Sequence, residues 1–156
     1  MTTTQSKTLP ILTFTIGEQY YGLPIERVVE VATMVALIRT PSSNPAVIGI
    51  VNRHGSVLPM LDLRRIFADE SSVITDATLF IVGQFEDQQV GLLVDSIEQV
   101  EYVAKTQMRL SAAAGKYIHG IISYNNMLIQ LITLEPLIED YLPNEALDDD
   151  LLKVDE

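Results

Sequence analysis

Residues 49–64 read GIVNRHGSVLPMLDLR, and the fold turns on how they are read. Two apolar runs, Gly49-Ile50-Val51-Asn52 and residues 57–61, flank Arg53-His54-Gly55-Ser56. Short β-branched runs on either side of a glycine-bearing turn make a β-hairpin. Residues 63–67 then predict one helical turn. The pattern recurs 71 residues later. Gly49-Ile50-Val51 meets Gly120-Ile121-Ile122, Val57-Leu58 meets Leu128-Ile129, Leu63 meets Leu134, and Ile66-Phe67 meets Leu137-Ile138. Further upstream the echo has an offset of 69. There Tyr21-Gly22-Leu23-Pro24-Ile25-Glu26 meets Val90-Gly91-Leu92-Leu93-Val94-Asp95, with Val28 over Ile97 and Val31 over Val100. One short loop insertion absorbs the two-residue difference. A solenoid needs roughly three or more repeats, so two copies imply two similar half-domains packed on each other.

The flanking sequence fits this frame. Residues 9–16 (LPILTFTI), a turn at Gly17-Glu18-Gln19 and residues 20–23 form another hairpin. Pro24 excludes a deep helix there, and residues 25–31 are mostly extended, with Glu26, Arg27 and Glu30 as polar positions. Asn44 before Pro45 suits the start of a short helical turn. The second copy gives strands over 78–82 and 90–94 around Glu86-Asp87-Gln88. Two more, over 117–122 and 127–132, flank Tyr124-Asn125-Asn126. Residues 105–114 read as a connecting turn or short helix. Apolar residues at 134, 137, 138, 141 and 142 have the spacing of an amphipathic helix. About five short strands per copy are too few for a large sandwich each, and small barrels close their own edges. The expected fold class is therefore mainly β: two pseudo-repeated five-stranded small barrels, side by side, with a short C-terminal helix. The repeat units are roughly 12–67 and 79–138, intertwined within a domain of residues 9–142. Residues 1–8 are expected to be a disordered tail and 143–156 an acidic one.

Composition narrows the function. Of 156 residues, 47% are hydrophobic, enough for a sizeable core. No cysteine is present, which removes disulfides, thiolate metal sites and cysteine nucleophiles together. Residues 1–8 lack the apolar centre of a signal peptide, and no run approaches the ~18 apolar residues of a membrane span. A soluble, cytoplasmic protein is expected. The net charge is −11, with eight acids and one base in residues 139–156. Ten scattered bases form no stripe, which disfavours nucleic acid. Catalysis lacks its ingredients. His54 lies in a turn and His119 in an apolar strand, and neither has a nucleophile or partner nearby in sequence. Metal-protease, phosphate-loop and EF-hand patterns are absent. Asp62 and Asp95 each follow an apolar strand, where a capping or turn role suits them better than acid–base work. The expectation is a non-enzymatic binding module with no cofactor and no metal.

Specific motifs go further. Phe14-Thr15-Ile16-Gly17 with Tyr21-Gly22-Leu23, then Ile25-Glu26-Arg27-Val28-Val29-Glu30-Val31, resemble the opening of the CheW family, coupling proteins of bacterial chemotaxis arrays. The stretch at 49–64 is similar to that family's G-V-x-N-L-R-G-x-x-x-P-x-x-D-L-R pattern. Residues 90–95 and Met127-Leu128-Ile129 match later signatures, so the likeness runs in order over about residues 9–140. The resemblance implies two SH3-like barrels and no enzymatic activity. It implies an adaptor, monomeric in isolation, that holds the regulatory domain of a CheA-type histidine kinase and the cytoplasmic tip of a methyl-accepting chemoreceptor. The receptor's helical hairpin would lie in the inter-barrel groove, against apolar anchors with a polar rim.

Carried over residue by residue, Val28 and Glu30 fall on receptor-contact positions, and Leu79 and Val100 on apolar groove positions. Plain core packing is the competing reading for the three apolar residues, and a solvated face for Glu30. Asn52, Arg53 and His54 complete the receptor-binding set, with one departure. The family places its arginine just before the glycine, whereas here Arg53 has moved back one place and His54 precedes Gly55. Strand alternation sends the displaced Arg53 to the opposite face, and histidine does not replace a bidentate guanidinium. Alternatives are a CheW-like protein of a type IV pilus, twitching or phototaxis system, and a sensory module taking a small ligand in the groove.

Overall fold

The computed structural model describes residues 8–42, 44–110 and 114–142. The two expected tails lie outside the described residues, except Thr8, which opens the first strand. In chain order the elements are β1 (Thr8–Ile16), β2 (Gln19–Pro24), β3 (Val28–Thr33), β4 (Val47–Arg53), β5 (Ser56–Asp62) and α1 (Leu63–Phe67). After a linker come β6 (Leu79–Phe85), β7 (Gln88–Val94), β8 (Ser96–Ala104), β9 (Met108–Arg109), β10 (Ile118–Tyr124), β11 (Met127–Ile132) and α2 (Leu134–Tyr141). Short 3-10 turns at Ile25–Arg27 and Lys105–Gln107 lead into β3 and β9.

The repeat is visible in the pairing as well as in the sequence. One sheet runs β8-β1-β2-β11-β10-β9 and the other β3-β6-β7-β5-β4. Leu131 pairs with Gly22 in the parallel β11·β2 contact, and Met60 pairs with Gly91 in β5·β7. These pairs superpose under the two sequence offsets. The register shift between Val28 and Glu30 on β3 likewise faces its counterpart in β1·β8, at Leu12/Phe14. The sheets have six and five strands, not five each, and neither belongs to one copy. Hairpin β1–β2 from the first copy joins β8–β11, and hairpin β6–β7 from the second joins β3–β5. The sixth strand is β9, which pairs with β10 through Arg109–Ile121. Its first-half counterpart is a single bridge between Ile38 and Ile50. Each sheet stays open at one seam, which the chain crosses through residues 34–38 or the turn before β9.

This exchange explains the long apolar runs. Leu12, Phe14, Ile16, Tyr21 and Leu23 pack with Leu61, Ile81, Val90 and Leu92 in one central cluster between the sheets. The alternate residues fill a smaller core in each barrel: Val51, Leu58, Met60 and Phe80 in the first, Ile11, Ile122, Ile129 and Leu131 in the second. Strands buried on both faces have no polar alternation to show. Strand β3 does alternate, exposing Val29, Val31 and Thr33 while Val28, Glu30 and Ala32 turn inward. Helix α2 buries Leu134, Leu137 and Ile138 on the central cluster. Each such side chain contributes about 1.5–3 kcal/mol.

Asp62 and Asp95 are structural. The Asp62 carboxylate is buried, caps α1 by accepting from the Arg64 amide at 3.1 Å, and accepts from the Ser72 amide and hydroxyl at 2.9 and 2.6 Å. Asp95 accepts from the Gly17 amide at 2.7 Å and from the Arg64 guanidinium at 2.6 Å.

Candidate docking site

The site begins with a turn. The β4–β5 hairpin closes on two residues, His54 (φ 53°) and Gly55 (φ 82°), both in the left-handed region. Two-residue hairpins take this form because its twist matches the strands. Histidine is among the few non-glycine residues that enter that region readily. Arg53, the last strand residue, turns inward: its side chain is only 15% exposed and its guanidinium lies 5.5 Å above the Phe80 ring. From there it donates to the Glu30 carboxylate. His54 is 79% exposed, and its Nε2 stands 3.4 Å from the same Glu30 oxygen.

The displaced Arg53 does turn to the inward side while His54 stays exposed, yet the two side chains are not separated: both reach one Glu30 oxygen. Alternation holds only while the backbone is extended. His54 is already in the turn, so neighbours that would diverge along a strand converge on one acceptor. The register shift in β3 beside Glu30 helps, since bulges re-aim side chains. Hydrogen bonding from Arg53 holds the Glu30 carboxyl below the usual carboxylate range, His54 adds to that direction, and partial desolvation opposes it.

Of the expected site residues, Glu30, Asn52, Arg53 and His54 come together here. Asn52 is exposed and pairs with Val57, which is 67% exposed. Val31, next to Glu30, is also exposed. Val28 and Leu79 are half-buried and pack on the central cluster, at opposite ends of the β3·β6 ladder. Val100 is exposed but lies on β8 in the other sheet, at the position equivalent to Val31. Val31 and Val57 escaped the sequence reading. Their signal was an apolar residue on the outward register of a strand, legible only once the register is known. No cluster of metal-ligating side chains forms among the described residues.

A corner with an ion pair at its centre and exposed valines beside it can hold another macromolecule, and two stacked β-barrels present it. This is a protein-binding scaffold. The chain matches the CheW-like domain over residues 10–141 and belongs to that family. It is 27% identical to the chemotaxis protein CheW of Klebsiella aerogenes, across 81% of this chain and 80% of that protein. With CheW of Thermotoga maritima it shares 25% identity, over 90% and 94% of the two chains. The crystal structure of the scaffolding protein TtCheW from Thermoanaerobacter tengcongensis superposes with a TM-score of 0.77 at 25% identity, covering 85% of this chain and 93% of that one. The chain is a chemotaxis-type adaptor in signal transduction, as that membership and those likenesses show. No helix among the described residues is long and apolar enough to cross a membrane.

Proposed function

We propose that this protein works in the cytoplasm, without catalysis of its own, as a monomer whose adaptor unit spans residues 9–142. It joins the cytoplasmic tip of a methyl-accepting chemoreceptor to the regulatory domain of a CheA-type histidine kinase. The receptor contact centres on Glu30, His54 and Asn52, flanked by Val31 and Val57, with Val28, Leu79 and Val100 supporting the groove. One observation carries the assignment of this corner: Arg53 and His54 converge on the Glu30 carboxylate. Arg53 is mostly covered and fixes that carboxylate from within, so the face offered to a partner is His54 and Asn52 beside two valines. Interfaces of this make-up, an apolar patch with a few oriented polar groups, suit transient signalling contacts.

Pull-down of a receptor cytoplasmic fragment and of a kinase regulatory domain, each in isolation, tests this. Wild type is expected to retain both. Arg53→Leu frees Glu30 and is expected to weaken receptor retention about tenfold, equivalent to roughly 1.4 kcal/mol, while leaving kinase retention unchanged. Failure of wild type to retain either partner overturns the adaptor reading. Equal loss of both partners in Arg53→Leu overturns the placement of the receptor contact.

A further inference from the structure

We propose that the acidic segment 143–156 of this chain docks into the pocket where the second-half sheet meets the turn Ile25–Arg27 and the end of β6. The pocket measures about 430 Å³, and its walls include Leu9, Pro24, Lys105, Met108, His119 and Leu131. It lies over the smaller core of Ile11, Ile122, Ile129 and Leu131.

The first half shows what belongs there. Its equivalent core, Val51, Leu58, Met60 and Phe80, has Leu37 at the place of Met108. A segment that follows a helix packs onto it. The chain leaving α1 is tied back by Ser72 to Asp62 at the helix N-terminus. It then lays Ile74 on this core and, with Thr75 and Asp76, lines a hollow whose other wall includes Met34 and Leu37, the counterparts of Lys105 and Met108. Helix α2 stands where α1 stands under the same 71-residue offset, so segment 143–156 holds the place in sequence that the linker after α1 holds in the first half. The described residues packed on the rim of the second core, Leu9, Tyr20, Met108, Tyr124 and Met127, all come from its own strands, and none from a segment that follows a helix.

Reach and chemistry agree. The first residues of α2, Leu134 and Glu135, line the pocket. An eight-residue helix is about 12 Å long, whereas the segment can span up to about 46 Å, so less than half of it suffices to fold back. It carries Ala146, Leu147, Leu151, Leu152 and Val154 for the apolar walls. It also has six acids and one base, and the pocket lining includes Arg27, Lys105 and His119. The rim acids Glu26 and Glu135 oppose this attraction. Glu26 lies 3.9 Å from Arg27, whose guanidinium sits over the Phe85 ring.

The chain has no cysteine, so introduced pairs report cleanly. In the full chain, Leu147→Cys with His119→Cys is expected to cross-link under mild oxidation at least about tenfold faster than Leu147→Cys with Ser56→Cys, because a docked tether raises effective concentration. Ending the chain at Leu142 is expected to move the amide resonances of Met108, His119 and Leu131. Those of Val51, Leu58 and Met60 should stay in place, which also shows that the shortened chain is folded. Equal cross-linking rates, unmoved pocket resonances, or cross-linking that rises with protein concentration would each overturn the proposal.

Discussion

The hairpin corner of the first half and its counterpart in the second share a backbone and differ in charge. His54 and Gly55 sit at φ 53° and 82°, Asn125 and Asn126 at 51° and 65°. Two turns of one geometry are thus built with different residues. In the first corner Arg53 and His54 meet on Glu30. In the second, Gln99 stands where Glu30 stands, and its amide donates to Glu101 at 2.5 Å. Tyr124 stands where Arg53 stands, and its hydroxyl is pushed up, first by desolvation and then by Glu101. No ion pair forms there among the described residues. Exposed apolar residues persist in both halves, Val31 and Val57 in one, Val100 and Leu128 in the other. Pairing and core therefore fix the scaffold twice over, while the solvent-facing corners diverge.

The comparison breaks most visibly at the seams. Gly49 has φ 151°, and a Cβ there would run into the carbonyl oxygen of Ile38, which is backbone and unable to yield. At the equivalent Gly120 the nearest atom is the Met108 side chain at 2.7 Å, with Arg109 oxygen at 3.0 Å. Gly49→Ala is expected to cost roughly 3 kcal/mol or more and Gly120→Ala about 1–2, since a methionine side chain can shift. Urea unfolding of the two variants checks the ranking.

Next in size is the helix start. Asp62 caps α1 and holds the linker, whereas Thr133 makes no side-chain cap on α2. Asp62→Ala is expected to cost about 3 kcal/mol, through a lost cap and two lost hydrogen bonds to a buried carboxylate. Thr133→Ala should cost less than about 0.5 kcal/mol. Thermal melts that rank the two equally would deny the linker its anchor.

The turns give a smaller contrast. Gly55→Val forces a β-branched residue to positive φ and is expected to cost about 1–2 kcal/mol. Ser56→Val, in extended backbone, should be near neutral. Gly55→Asn should also be mild, because Asn126 already holds the equivalent place. A full-sized loss in Gly55→Asn would show that the two turns are not interchangeable.

The smallest effect is electrostatic. Glu30 is held below its ordinary pKa in the fold. Its stabilising contribution is therefore complete above the unfolded value of about 4.3 and lost as pH falls through the lower folded one. Glu30→Gln is expected to flatten this acid limb in urea midpoints measured from neutral to strongly acidic pH. Gln99→Glu should not create a matching limb, because Tyr124 stands there in place of Arg53.

Much of this was legible in the sequence. The internal echo placed both hairpin pairs and both helices, because burying equivalent positions demands equivalent apolar residues. The motif around 49–64 pointed to the family and to Asn52, Arg53 and His54, and the stretch 25–31 pointed to Glu30. The outward valines were harder to see, since β-branched residues read alike whether a strand face meets core or water.

What the sequence determined by itself was local: strand, turn, helix and their repetition, each written in the spacing of neighbouring residues. Tertiary structure alone decided that the copies exchange hairpins, because strand partners are chosen by long-range backbone pairing that leaves no mark in either copy. It also decided that Arg53 and His54 share one acceptor. That depends on where the extended backbone ends and the left-handed turn begins, and on Phe80 lying beneath the guanidinium, contributed by a strand from the other copy.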